Sequence, residues 1–458
     1  MKQTFSVQEK IIQFLVIFFP IFITQVSLTA IGFFDTVMSG QVSHYDLAGV
    51  AIGANMWLPI FTGTYGVLSG VTPILAQLHG AGRKQEMPFF VIQALYAALA
   101  IGGAVIILGW LLLAPALNVM HLEASVHQIA YDFLRALAIG VIPVFASAVL
   151  RNFIDALGYT RITMIITVIG VLINIALNYL LILGNYGFPR LGGVGAGYAS
   201  AMTYWCILFM NIIVVHYIKP FKTYRIFGHF TGISFKAWRE LAAVGFPIGL
   251  AIFFEVSIFA AVAILMAEYG TSVIAAHQAA INFAGLVYMV PLSIGFTLTI
   301  VVGFEAGAQR YWDAKQYSYL GIKIAVTVAV IFAVLLLSFN TTIASFYTKE
   351  PGVLELIKNF LIYAIFFQLS DAIAAPIQGA LRGYKVVRIT MVVAIISYWV
   401  IGMPVGYLLA KHSTLQAYGY WVGFIVGLAV GAVVLLTRLI RLQKKYSSRY
   451  QKGKESYS

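Results

Sequence analysis

Charge is what this 458-residue chain has least of: Asp, Glu, Lys and Arg together make up 10% of it, against about a quarter in soluble globular proteins. Cysteine is nearly absent as well. The single Cys206 lies in an apolar run, which excludes a disulfide framework or a thiolate metal cluster and leaves a small packing residue. The chain has no phosphate-binding Gly-x-x-x-x-Gly-Lys-Ser/Thr loop, no His-Glu-x-x-His helix and no Gly-x-Ser-x-Gly turn. ATP-driven, zinc and serine chemistry therefore have no visible site, and an enzyme is not expected.

What fills the space is apolar. Hydrophobic residues make up 61% of the chain and its mean hydropathy is +0.91, so a polytopic membrane protein is predicted. Apolar segments long enough to span, about 20 residues each, centre near Phe22, Tyr65, Gly102, Ile142, Ile173, Trp205, Phe253, Met289, Ile331, Gln368, Tyr398 and Gly427. The fold class predicted is all-α with twelve transmembrane helices. The first run, Ile11 to about Phe34, is too long for the core of a cleavable signal and reads as the first helix.

The net charge of +13 is not a nucleic-acid signal, because its distribution along the loops is lopsided. With both termini inside the cell, 24 of the 29 Lys and Arg fall on the cytoplasmic side. Only Arg190, Lys349, Lys358 and Lys411 fall outside, and Arg135 lies within the fourth span, where Asp132 at i−3 is its expected partner. That bias is the positive-inside rule. It predicts a multi-pass protein of the inner or plasma membrane with both termini cytoplasmic, the bilayer as a partner and nucleic acid not.

A constant offset of 227 residues runs through the chain. Pro20 matches Pro247, Gly80-Ala81 and Arg83 match Gly307-Ala308 and Arg310, Phe133-Leu134 matches Phe360-Leu361, and Arg161-Ile162-Thr163-Met164 recurs as Arg388-Ile389-Thr390-Met391. Two six-helix bundles are expected, related by a pseudo-two-fold axis along the membrane normal. The boundaries read as an N-terminal lobe 1–216, a basic cytoplasmic linker 217–238, a C-terminal lobe 239–440 and a basic tail 441–458. Pro20, Pro143, Pro247 and Pro376 lie within spans and predict kinks.

Three carboxylates stand inside these apolar runs: Asp35, Glu255 and Asp371. A charge at lipid depth costs about 2.5–3.5 kcal/mol by insertion scales, so an acid held there marks a cation, proton or substrate site. None has an acidic twin at the repeat offset, since Asp35 matches Val262, Glu255 matches Leu28 and Asp371 matches Val144. The lobes should therefore do different jobs. Two acids with neighbouring neutral oxygens suit a monovalent cation at Glu255 and Asp371, and their mutual repulsion also suits a proton. Gln278 and Asn282, spaced i,i+4, share a helix face and are either oxygen donors to the site or an interhelical hydrogen bond. Tyr288, on the same helix, is the aromatic singled out for substrate contact, and His277 reads as packing.

The segments Phe33-Phe34-Asp35-Thr36-Val37-Met38-Ser39-Gly40, Arg151-Asn152 with Gly158 and Thr160-Arg161, Leu191 to Gly197, Ala275-Ala276-His277-Gln278 with Asn282, and Gly379-Ala380-Leu381-Arg382-Gly383 occur in order along the chain. Together they resemble the multidrug and toxic compound extrusion (MATE) family, of the NorM type. The resemblance implies an antiporter that exports organic cations and amphipathic drugs by alternating access, driven by sodium or protons, with no cofactor beyond that coupling ion and a monomer as the working form. It implies Glu255 and Asp371 as cation-site carboxylates and Asp35 as a substrate or proton acid. Phe367 stands where some NorM-type members present a tyrosine to the cation, and it offers a ring face in place of an oxygen. A lipid-linked precursor flippase is the alternative reading, although its anionic cargo calls for buried Arg and Lys where this chain has acids.

Overall fold

The computed structural model of the chain describes residues 1–228 and 231–455, with side chains at all of these except 267 and 447–455. Residues 229–230 of the expected linker and 456–458 of the expected tail lie outside the described residues. Sixteen α-helices follow one another: α1 (Val7–Gly40), α2 (His44–Ser69), α3 (Val71–Gly80), α4 (Met87–Val119), α5 (Ala124–Ala138), α6 (Val141–Ala156), α7 (Thr160–Leu181), α8 (Gly193–Tyr217), α9 (Phe235–Leu265), α10 (Thr271–Gly307), α11 (Tyr311–Ser338), α12 (Asn340–Tyr347), α13 (Pro351–Gly383), α14 (Arg388–Ile395), α15 (Met403–His412) and α16 (Tyr418–Glu455). Helices are what a bilayer permits, because each closes its own backbone hydrogen bonds. Eleven stretches are long and apolar enough to cross a membrane, and the bent pair α5–α6 makes a twelfth.

The bend of 49° between α5 and α6 has a local cause. Pro143 has no N–H to give to the Ile139 carbonyl one turn back. That oxygen instead accepts the Trp205 Nε1–H of α8 at 3.2 Å, and Gly140 lets the corner approach Ala201 of α8, where a Cβ would come within 2.7 Å of the Ala201 Cα. In the eleventh span α14 passes into α15 through a π-helical segment, Ile396–Gly402. The i,i+3 partner expected for Arg135 is not used. Asp132 accepts from Gln128 Nε2 at 2.7 Å, and the Arg135 guanidinium lies 5.5 Å from the centre of the Tyr131 ring.

The helices cluster into two units of six spans, with reciprocal exchanges at their first helices. One unit takes Phe19–His79 and Arg83–Gly249; the other takes Lys2–Phe18, Gly80–Gly82 and the chain from Leu250 onward. The breaks fall beside Pro20 and Pro247, the repeat-related prolines. In the second unit the start of α1 is fixed by Lys10, whose Nζ pairs with Asp313 at 2.8 Å, and by Thr4 and Gln13, both hydrogen-bonded to the Tyr317 hydroxyl. In the first unit the expected linker is docked. Phe221 is buried against the Phe153 and Tyr159 rings, and Gln93 of α4 donates to the Gly232 carbonyl and accepts from the Ser234 N–H.

The tightest crossing of the second unit joins α10 to α13. A Cβ on Gly379 would run into the carbonyl oxygen of Gly295, while Thr299 Oγ1 donates to the Gly379 carbonyl at 3.1 Å. The repeat offset carries Gly295 and Gly379 to Leu68 and Asn152 of the first unit, where Asn152 Nδ2 donates to the Leu68 carbonyl at 3.4 Å. Gly379→Val should therefore force the two helices apart at a cost of about 1–3 kcal/mol or more. It should lower the melting temperature of the purified protein by several degrees, whereas Gly103→Val, with nothing within 4 Å of its Cβ, should leave it unchanged.

Candidate functional site

In the second unit, the helix pattern brings the acid pair together from α9 and α13. Asp371 is buried and Glu255 half-buried, and the two are near enough for the charge of one to act on the other. Tyr288 of α10 donates its hydroxyl hydrogen to Glu255 Oε1 at 3.1 Å. Tyr398, in the π-helical segment, lies within electrostatic reach of both acids and of Tyr288; its hydroxyl is buried and has no hydrogen-bond partner. The neighbouring Trp399 ties that segment to the acids by donating Nε1–H to the Phe254 carbonyl, one residue before Glu255, at 3.2 Å. Single wide turns of this kind recur at functional sites. Arg382, about three turns beyond Asp371 on α13, is a buried cation whose charge reaches Glu255 and Tyr288.

The other residues singled out in this half are placed differently. Gln278 and Asn282 share a face of α10, as their spacing predicts, but both stand exposed. Phe367 is buried in an aromatic cluster, 5.8 Å centre to centre from Phe259 and 6.2 Å from Trp421, and its ring is used in packing. His277 is also packing: Trp421 Nε1 donates to its Nδ1 at 3.1 Å inside the core.

In the first unit Asp35 of α1 is buried under three donors. Asn178 Nδ2 lies 2.8 Å and Asn174 Nδ2 3.1 Å from its Oδ1, and the Ser200 hydroxyl donates to Oδ2 at 2.5 Å. An ionised carboxylate is acceptor-only, and this environment is donor-rich, so it is matched to the charged form. A protonated Asp35 would need an acceptor. The buried Oδ1 of Asn178 has no partner and is the oxygen that a rotation of that amide would present. Sequence reasoning missed all three partners. Asn174 and Asn178 carry the same i,i+4 polar signal on α7 that drew attention to Gln278 and Asn282.

The repeat offset shows that the two sites are not equivalent places in the two units. Glu255, Tyr288 and Asp371 correspond to Leu28, Phe61 and Val144, while Asp35, Asn174 and Asn178 correspond to Val262, Ile401 and Val405. Each unit is apolar where the other is polar. Among the described residues no three His, Cys, Asp or Glu side chains gather as a metal cluster. Any cation held here would be shared between one or two carboxylates and neutral oxygens, which suits a hard monovalent ion.

Fold and site thus define a polytopic α-helical membrane protein whose two repeated six-span units each bury carboxylates inside their helices, at positions that the repeat does not relate. Comparison with known proteins is specific. The MatE family model matches residues 20–180 and again 247–408, two copies that begin 227 residues apart, and the chain belongs to this family. It is 53% identical over 449 residues to a Bacillus anthracis protein named "Probable multidrug resistance protein NorM", covering 98% of this chain and 99% of the relative, and 54% identical over 449 residues to the Bacillus subtilis protein of that name, with the same coverage. Its fold is that of the solved eukaryotic MATE transporter AtDTX14, with a TM-score of 0.86 at 19% identity over 96% of this chain and 99% of that one.

Proposed function

We propose that this protein is a cation-coupled antiporter that exports cationic and amphipathic drugs or toxic compounds. The observation that carries the reading is the pair of non-equivalent buried carboxylate centres, one in each unit, in a family whose named relatives are multidrug resistance proteins. In this reading Glu255 and Asp371, with the hydroxyls of Tyr288 and Tyr398, bind the coupling ion, sodium or a proton. Asp35 alternates between a proton and a cationic substrate, with Asn174, Asn178 and Ser200 holding the carboxylate while it is charged. Export follows because occupancy of one centre changes which access state is favoured at the other. The relatives are named for multidrug resistance and not for catalysis, and the drive comes from an ion gradient. Transport of a fluorescent organic cation by purified protein in liposomes, with sodium and pH gradients imposed separately, tests it. Accumulation that answers to neither gradient would overturn the antiport reading.

Orientation belongs to the same proposal and rests on the Lys and Arg distribution. In a Cys206→Ala background, Ser43→Cys and Ser413→Cys should react with an impermeant maleimide added to intact cells, and Gln85→Cys should react only after the membrane is opened. Labelling of Gln85→Cys from outside would reverse the topology.

A further inference from the structure

The first unit encloses a cavity of about 60 Å³ that the transport reading leaves unused. It opens one turn along α1 from Asp35, at Ile31, and extends to Arg151 near the end of α6. Its polar wall follows two helix faces. On α7, Thr163, Thr167, Asn174 and Asn178 sit at i, i+4, i+11 and i+15; on α8, Ser200, Tyr204 and Asn211 sit at i, i+4 and i+11. The upper members of both stripes are the Asp35 partners, and the lower members line the cavity. Eleven residues of helix separate Ser200 from Asn211, about 16 Å.

Two features mark the space as wet. Asn211 is 2% exposed and lines the cavity; its Nδ2 donates to the Ile207 carbonyl, while its Oδ1 has no partner. A buried acceptor left unpaired is costly, and a water supplies the missing donor. The volume holds about two to four waters at 15–30 Å³ each. At the far end the charges are paired with polar groups. The Arg151 guanidinium lies 4.9 Å from the centre of the Tyr65 ring, and Thr163 Oγ1 donates at 2.6 Å to Oδ1 of Asp155, a half-buried carboxylate beside the corner between α6 and α7. The cavity also occupies the place where the second unit carries its acid pair, since Leu28, Phe61 and Val144 line it.

We propose that this cavity holds a short chain of waters joining Asp35 to Asp155, and that protons reach and leave Asp35 along it. The proposal rests on the reading above that Asp35 exchanges a proton. The track is built from hydroxyls and water, which pass a proton by rearranging hydrogen bonds, and the Arg151 cation at its end disfavours metal cations. The charge bias of the loops assigns its Asp155 end to the cytoplasm, so the track gives Asp35 a proton route to that side.

Radiolytic hydroxyl labelling of the full-length protein in lipid nanodiscs tests for the water directly. Ile166 and Ile207 wall the cavity and are 5% and 8% exposed; Leu208, 8% exposed on the same helix as Ile207, does not line it. Ile166 and Ile207 should label well above Leu208, and two variants should abolish the excess: Ala148→Leu, which fills the space, and Asn211→Leu, which removes the unpaired acceptor. In liposomes both variants should slow pH-gradient-driven export several-fold and leave drug affinity and sodium binding unchanged. Labelling of Ile166 and Ile207 no greater than that of Leu208 in the wild type would overturn the proposal. So would a wild-type rate of proton-driven export in a variant whose cavity has become dry. A labelled cavity in a wild-type protein that ignores a pH gradient would instead remove the proton from Asp35, and with it that part of the function proposed above.

Discussion

Glu255→Gln and Asp371→Asn should each reduce gradient-driven export in liposomes to the level of protein-free vesicles, while both variants insert, fold and purify as well as the wild type. The reason lies in the cost of their charges. Each carboxylate at membrane depth costs about 2.5–3.5 kcal/mol, and here two sit within reach of one another, so the empty pair is held in place against both desolvation and repulsion. A proton or a sodium ion between them relieves both. Removing either charge takes away the affinity for that ion and the energetic difference between loaded and empty states, which is the coupling itself. Stability should if anything rise, because the buried repulsion is gone. Titration of the purified protein with sodium should show the binding signal lost in Asp371→Asn, and full export by both variants would remove the pair from the mechanism. Tyr398→Phe offers a graded version. It deletes only the hydroxyl that has no other partner, so cation affinity should fall while thermal stability stays put.

How much of this was legible in the sequence depended on which signals the bilayer preserves. Spans, the repeat and the three acids were readable because lipid forbids what water tolerates: a charge in an apolar run stands out, and two halves must each build whole helices. The bend at Pro143 was readable as a kink, but its capture by Trp205 was not, since that contact joins residues far apart in sequence. Asp35 was readable and its cage was missed, although two of its three members carry a local signal. Asn174 and Asn178 announce themselves by spacing, whereas Ser200 lies on another helix with nothing local to connect it to Asp35. Gln278 and Asn282 show the converse limit. Their shared face was right and it stands exposed, so the spacing alone did not say whether the pair meets the buried acids. Tyr398 was read only as the centre of a span: it lies near the start of the π-helical segment, on a different helix from either acid, with nothing local in the sequence to connect it to them.

Asp35→Asn should separate the roles of the two units. The substitution keeps the size of the side chain but sets an amide against three donors, from Asn174, Asn178 and Ser200, so at least one of those hydrogen bonds must break or flip. The local cost is about 1–3 kcal/mol for a buried donor left unpaired, which should loosen the packing of α1 on α7 and α8 without unfolding the unit. Transport should respond unevenly. Permanently charged dyes rely on the Asp35 charge and should be exported far more slowly, while zwitterionic and neutral drugs, which bring less cationic charge to it, should lose less. Sodium binding to the purified variant should be nearly intact, because Glu255 and Asp371 belong to the other unit and have apolar residues at their repeat-equivalent positions here. Asn178→Leu sharpens the comparison, for it strips a donor and leaves the acid. It should preserve preference for charged dyes while weakening the hold on the ionised carboxylate. Loss of every substrate together with the sodium-binding signal in Asp35→Asn would make Asp35 the coupling residue and end the division of labour between the units.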